Sequence, residues 1–218
     1  MIRLLSLLIL LLNNLLFPNA ASLALHHAPI DAAALEIKDL QVSYEFGLKV
    51  NFQAWLSPAE EVQEVYLMIQ PLGNSTRVEN IQPASDGHIL FEYDLSARPL
   101  PPFSPVEYWL RVTTKDGKQM ESLHQTFLYE DNRFEWQVIE TDSIVVKWYA
   151  GDLSFGQTVM DAATAGVEKA RELVNADPPQ PLRIYVYPAP ADLQAALALI
   201  NASWVAGHAS PEFATVLV

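Results

Sequence analysis

Seven short runs of β-favouring residues follow one another between residues 35 and 129, and turn-forming residues separate them. In the second run, Val50 and Phe52 alternate with the polar residues Asn51 and Gln53. This alternation predicts a strand with one buried and one solvent-facing side. The runs are Leu35–Phe46, Leu48–Leu56, Val62–Gln70, Thr76–Ile81, His88–Leu95, Pro105–Thr114 and Gln119–Tyr129.

We interpret residues 33–130 as a β-sandwich of the immunoglobulin or fibronectin type III kind, because short strands at this spacing are typical of such domains. The Asp116-Gly117 pair predicts a hairpin between the last two runs. The segment Pro99–Pro105 predicts a stiff loop or an edge. The sequence has no cysteine, so the sandwich core must rely on apolar packing without disulfides.

The periodicity changes after the polar junction Glu130-Asp131-Asn132. The order strand, strand, helix, strand, helix, strand predicts an α/β domain over residues 133–218. Apolar residues at helical spacing predict one packed face of the first helix, made of Phe155, Val159, Ala163, Val167, Ala170 and Val174. The predicted elements are strands Phe134–Glu140, Ile144–Tyr149, Leu182–Tyr187 and Phe213–Val218, a helix from Ser154 to Pro178-Pro179, and a helix from Pro190 to about Ile200.

The last predicted strand, Phe213–Val218, is an apolar, β-favouring run. Such a strand needs cover on both faces. We therefore expect the α/β domain to be incomplete within these residues and to be completed by further sequence.

The N-terminal residues have the pattern of a secretory signal peptide, which we place at residues 1–24. A basic start at Arg3 precedes the apolar stretch Leu4–Phe17, and small residues follow at Ala20 and Ala24. An uncleaved signal anchor is the alternative. We expect an exported protein of the cell envelope or exterior, with no stable membrane span once the signal is cleaved.

The formal net charge is −13, and no basic stripe is present to neutralise phosphates. Nucleic acid is therefore an unsuitable partner for this chain. The acidic residues are spread thinly along the sequence and indicate a solvated surface.

The five histidines do not form a metal-binding motif. The His26-His27 pair is expected to lie in a disordered N-terminus, and His88 and His124 are expected to be ordinary strand residues. His208 is placed in the loop before the last strand, where it could face a cleft, but no carboxylate or second histidine accompanies it in the sequence.

Other motifs for catalysis or cofactor binding are also missing. The sequence contains no Gly-x-Ser-x-Gly elbow and no phosphate-binding glycine loop. We therefore predict no catalytic, cofactor-binding or metal-binding residues in this chain. Several aromatic residues could stack on sugars, although packing is their expected role: Tyr44, Trp55, Tyr66, Trp109, Trp136, Trp148 and Tyr149.

Residues 129–218 resemble the opening of a peptidase MA-like domain of exported bacterial proteins, which often follows an immunoglobulin-like domain. The resemblance rests on aromatic and glycine landmarks: residues 129–136 (YEDNRFEW), 144–152 (IVVKWYAGD), 155–156 (FG), 182–187 (LRIYVY) and 204–207 (WVAG). It implies a gluzincin-type zinc metallopeptidase, in which a His-Glu-x-x-His helix and a later glutamate hold the metal.

That helix would follow the strand at Phe213–Val218, so the resemblance assigns no zinc ligand to any residue of this chain. It also implies that Phe213–Val218 lies near a cleft where an extended peptide could pair with a strand edge. Zinc is expected only if the full-length protein contains the missing motif.

Our hypothesis from the sequence is therefore the N-terminal fragment of an exported zinc metallopeptidase, which acts on a peptide or protein substrate when full-length and is inactive as this chain alone. The alternative is a non-catalytic extracytoplasmic binding or adhesion module with an immunoglobulin-like domain. A sugar-binding protein is a third possibility, and it would require the aromatic rings to line one open face.

Overall fold

The first eight strands form two antiparallel sheets in the computed structural model, which describes residues 34–174, 181–202 and 205–218. One sheet has the order β1-β2-β5, and the other has the order β4-β3-β6-β7 with β8 also paired to β6. The strands are β1 Glu36–Glu45, β2 Lys49–Ser57, β3 Val62–Pro71, β4 Arg77–Ile81, β5 His88–Asp94, β6 Ser104–Thr114, β7 Gln119–Glu121 and β8 Gln125–Tyr129.

The alternation predicted for β2 is confirmed. Val50, Phe52 and Ala54 are buried, whereas Gln53 and Trp55 face outward. The ring centroids of Phe52 and Tyr108 lie 5.3 Å apart, so the two sheets share one core.

The seventh predicted strand is wrong as a single element, because Ser122–His124 separates β7 from β8. The Ser122 hydroxyl accepts a hydrogen bond from the Leu110 backbone N–H at 3.0 Å. A side-chain oxygen thus takes the place of a backbone carbonyl and interrupts the ladder. As a result Leu123 is exposed, and His124 lies between strands rather than within one.

The remaining residues form a mixed five-stranded sheet with two described helices. Its order is β12-β13-β11-β10-β9, in which β10, β11 and β13 run parallel and the two edge strands run antiparallel to their neighbours. The elements are β9 Gln137–Glu140, β10 Ile144–Trp148, α1 Leu153–Val174, β11 Leu182–Val186, α2 Pro190–Ala198, β12 His208–Ser210 and β13 Thr215–Leu217.

The predicted packed face of α1 is only partly correct. Gly156 and Met160 are its buried residues, while Phe155 and Val174 are 38% and 67% exposed. Val159, Ala163 and Val167 are partly buried against the same core as Met160, whereas Phe155, Ala170 and Val174 are exposed. The predicted face is therefore packed in the middle of α1 and not at its ends. Pro178-Pro179 lies outside the described residues.

The two faces of the mixed sheet belong to different cores. Tyr185, Tyr187 and Leu217 join the core of the first two sheets, where the rings of Phe103 and Tyr185 lie 4.4 Å apart. Val146 and Trp148 pack with Met160 of α1 on the other face. Residues 34–218 accordingly form one compact unit. The two domains assigned to residues 33–130 and 133–218 stay predictions.

Candidate functional site

Strand β12 forms one edge of the mixed sheet. It pairs with β13 in the register His208–Leu217, Ala209–Val216 and Ser210–Thr215, and no other described strand pairs with it. Backbone N–H and C=O groups on its free side are therefore available to an added strand. The sequence did not predict β12, because a strand of three residues is too short to show an alternation of apolar and polar side chains.

The turn after β12 fixes this short strand in place. Pro211–Phe213 forms a 3₁₀ turn, and Ala214 follows in the left-handed region with φ 49°. The Ala214 carbonyl accepts a hydrogen bond from the Arg183 N–H at 2.7 Å, which ties the turn to β11. The edge is thus held by the sheet next to it.

A cavity of about 380 Å³ adjoins this edge. His208, Ser210 and Glu212 line it from β12 and its turn, and Asn74 and Phe103 line it from the first two sheets. His208 therefore does face a cleft, and the fold brings a carboxylate to the same cavity. A histidine and a carboxylate can hydrogen-bond a polar ligand, but two side chains are too few for a metal site.

The other histidines lie apart from this cavity. His88 stacks on Trp55 and His124 stacks on Trp109, each with ring centroids 4.1 Å apart. His26 and His27 lie outside the described residues. In the part of the chain that the structure describes, no three His, Cys, Asp or Glu side chains are close enough to share a metal ion.

A buried polar network joins the mixed sheet to the first two sheets. The Asp131 carboxylate is fully buried and accepts bonds from Arg133 Nε at 2.8 Å, Arg133 Nη2 at 2.6 Å and the Tyr187 hydroxyl at 2.9 Å. Burial and the adjacent Asp131 charge raise the pKa of Tyr187, so its hydroxyl stays protonated and donates. In the sequence, Glu130-Asp131-Asn132 were recognisable only as a polar junction between the two predicted domains.

A second carboxylate completes the junction. Glu130 Oε2 accepts bonds from the Tyr185 hydroxyl at 2.8 Å and from Lys147 Nζ at 2.6 Å. Burial raises the pKa of Tyr185, and the Glu130 charge adds to that effect. Both tyrosines project from β11 and its end, so the network fixes the centre of the mixed sheet.

The glycine landmark in α1 has a steric reason. A Cβ on Gly156 would lie 2.2 Å from Trp148 Cη2 of β10. Only glycine lets the helix approach the buried indole this closely. Asp152 caps the same helix by accepting a bond from the Phe155 N–H at 3.2 Å.

The α1-side face of the mixed sheet is covered unevenly. Helix α1 contacts β10 and β9, which lie at one end of the sheet. Leu182 and Val186 of β11 and Val216 of β13 are only partly buried on the same face. The terminal strand is thus not fully covered by the described residues.

The aromatic rings do not line one open face. Trp109 and Trp148 are buried, and Trp136 and Tyr149 pack edge-to-face at the junction. Trp55 is the ring of that set with substantial exposure, at 41%. The described residues therefore do not meet the condition of the sugar-binding hypothesis that these rings line one open face.

Helices able to cross a bilayer are not found among the described residues, since neither α1 nor α2 combines enough length with enough apolar character. The signal peptide predicted at residues 1–24 lies outside the described residues.

No protein-family model matches the sequence, and no curated protein matches it. Among solved structures, wild-type OgpA from Akkermansia muciniphila is similar, with 17% identity, a TM-score of 0.36, and coverage of 44% of this chain and 27% of OgpA. Catalytically inactive OgpA in complex with an O-glycopeptide substrate gives 14% identity, a TM-score of 0.34, and coverage of 44% and 28%.

A bromine derivative of BhCBM56 gives 13% identity and a TM-score of 0.30, and the match covers 41% of this chain and 88% of that protein. The matched region thus spans little more than a quarter of OgpA. At these TM-scores the likenesses carry no conclusion about function.

Proposed function

We propose that this chain is the N-terminal portion of an exported, gluzincin-type zinc metallopeptidase whose mixed sheet presents β12 to an extended peptide substrate. The observation that carries the proposal is the antiparallel edge strand β12 beside a partly uncovered sheet face. An edge strand offers backbone hydrogen bonds to a substrate, and the uncovered face offers apolar surface on which a further helix could pack.

Several landmarks of the peptidase MA-like resemblance have structural roles that support the proposal. The residues 129–136 build the junction around Asp131, and Gly156 gives α1 its close approach to Trp148. These contacts fix the sheet, whose β12 edge would receive the substrate.

The first two sheets support an immunoglobulin-like assignment for residues 33–130. A sheet of β1-β2-β5 faces a sheet of β4-β3-β6 with β7 and β8, and all pairs are antiparallel. This split of seven consecutive strands, with the last one interrupted, is the arrangement expected of such a sandwich.

The described residues do not fit zinc, because no three potential ligands come together. We therefore derive no hydrolytic step from this chain and assign it substrate positioning alone. Alternate side chains of a peptide added to β12 would project toward the cavity of His208 and Glu212 and away from it.

Peptide binding to the edge can be tested by titrating the full chain with an extended peptide library and with N-methylated copies of the best binder. We expect the unmethylated peptide to bind and its copies to lose at least about tenfold in affinity, since backbone bonds supply the contact. Ala209→Pro in β12 should weaken binding, whereas Val138→Pro on the opposite edge strand β9 should not. Equal binding by methylated peptides would refute strand addition.

The enzyme class needs a separate test. The natural reading frame after residue 218 should encode His-Glu-x-x-His within a few tens of residues, and its full product should cleave peptides in a zinc-dependent manner. A stop codon directly after residue 218 together with a monomeric product would support the binding-module alternative instead.

A further inference from the structure

We propose that the outer face of the β1-β2-β5 sheet binds a neutral carbohydrate. A groove of about 390 Å³ crosses this face, which is within the size range of small-ligand sites. Gln41, Ser43, Asn51, Gln53, Leu90 and Glu92 line it. This site is independent of the mixed sheet and of the function proposed for it.

An aromatic platform lies on the same face of the sheet, where Trp55 is the next outward residue of β2 after the groove residue Gln53. Trp55 pairs across the strands with His88, and the two rings stack with an interplanar angle of 7°. Trp55 is 41% exposed, and Leu90, the next outward residue of β5, is 71% exposed. His88 covers one face of the indole, so a sugar ring would stack with its apolar side on the opposite face.

The amides at the centre of the groove are oriented for hydroxyl groups. Gln53 Nε2 donates to Gln41 Oε1 at 2.7 Å. This bond leaves the Gln53 oxygen free to accept and the Gln41 amide nitrogen free to donate. Neighbouring sugar hydroxyls both donate and accept, so they can satisfy the two groups together.

A β-bulge places Gln41 in the groove. Lys38 pairs with Trp55 and Gln41 pairs with Gln53, so β1 has one residue more than β2 between these pairs. Asp39 takes a left-handed conformation with φ 51°, and Leu40 turns into the core. In the regular register Leu40 would stand outward opposite Gln53, and the bulge therefore replaces an apolar side chain with an amide.

The charge of the groove favours a neutral ligand. Glu92 is the single carboxylate among the lining residues, and Lys49 pairs with it at 2.9 Å. The lining thus has no free cation for a phosphate or sulfate, and the chain has a net charge of −13. Anionic ligands would be repelled.

The position of the groove disfavours a peptide strand. Its floor is β2, which is hydrogen-bonded to β1 on one side and to β5 on the other. The backbone of β2 has no free edge, so only side chains can contact a ligand here. A lining that carries amides and a hydroxyl and no free cation, beside one exposed indole, is the chemistry that recognises a sugar.

The test is a glycan array with neutral and sulfated oligosaccharides, followed by titration of the best neutral oligosaccharide into the full chain while tryptophan fluorescence is recorded. We expect binding to neutral glycans, and a loss of at least about tenfold in affinity in Trp55→Ala, because truncating the aromatic anchor beside the groove is costly. Gln53→Ala should also weaken binding without loss of the fold, since surface changes of this kind are well tolerated.

His124→Ala is the matched control, because His124 makes the same stack on Trp109 in the other sheet. It should bind like the parent. The proposal is overturned if no neutral oligosaccharide binds at millimolar concentration, if only sulfated glycans bind, or if Gln53→Ala and folded Trp55→Ala both retain the parent affinity.

Discussion

The Tyr187→Phe substitution tests whether the buried junction stabilises the fold. The Tyr187 hydroxyl donates to the Asp131 carboxylate at 2.9 Å, and both side chains are buried. Phenylalanine keeps the ring, its edge-to-face contacts and its volume, so the loss is confined to one hydrogen bond. Bonds to a charged group contribute about 1.5–3 kcal/mol, and Asp131 keeps its three bonds from the backbone N–H, Nε and Nη2 of Arg133.

We therefore expect the free energy of unfolding to fall by about 1.5–3 kcal/mol. With a urea m-value of about 2 kcal/mol per molar, the midpoint should fall by about 1 M. Equilibrium urea unfolding followed by circular dichroism measures this change.

Tyr149→Phe is the matched control for this substitution. Its hydroxyl donates to Asp192 at 2.7 Å, a shorter bond than that of Tyr187, but both residues are partly exposed. Water can replace the lost donor there, so we expect a cost below about 1 kcal/mol. If the control loses as much stability as Tyr187→Phe, burial of the carboxylate is not the source of the effect and the reasoning fails.

Three further predictions concern Gly156, the phenol of Tyr129 and the core that joins the sheets. Gly156→Ala should destabilise by about 1–3 kcal/mol through its clash with Trp148, whereas Gly166→Ala, which has open space around it, should be neutral or stabilising by up to about 1 kcal/mol; thermal unfolding of both variants decides this. Burial raises the pKa of Tyr129 to about 12 from an ordinary 10.0, so the unfolded chain loses this proton first and stability should fall as pH rises from 10.0 to about 12. A urea series across this range measures the fall, and a flat profile would contradict the assignment. Because one of the two cores joins the first two sheets to the mixed sheet, fluorescence and circular dichroism should report one coincident unfolding transition, and two separated midpoints would refute this coupling.

The strands with strong alternation were predictable from sequence, as β2 shows with Phe52 inward and Gln53 outward. The parallel core of the second half was also readable, because helices separate its strands and force them to return in one direction. The boundaries of strands were predicted less accurately. The strand predicted from Phe134 begins only at Gln137, because the rings of Phe134 and Trp136 pack in the junction. Such long-range contacts are not visible in a local sequence pattern.

The candidate site itself was largely hidden from the sequence. Strand β12 exists through its pairing with β13, and Glu212 meets His208 at one cavity because the 3₁₀ turn Pro211–Phe213 directly follows that strand. The groove on the first sheet depends on one inserted residue near Asp39, and a register shift of this kind leaves no composition signal.

The aromatic residues at the junction also set a limit on how this chain can be rearranged during evolution. Phe103 lies against Tyr185, and Tyr44 donates its hydroxyl to the Leu128 carbonyl close to the point where one half passes into the other. Moving either half alone into a different protein would expose the apolar surface that the other half covers, and it would leave Asp131 without Tyr187. Gene shuffling should therefore move the two halves as a single inheritable block.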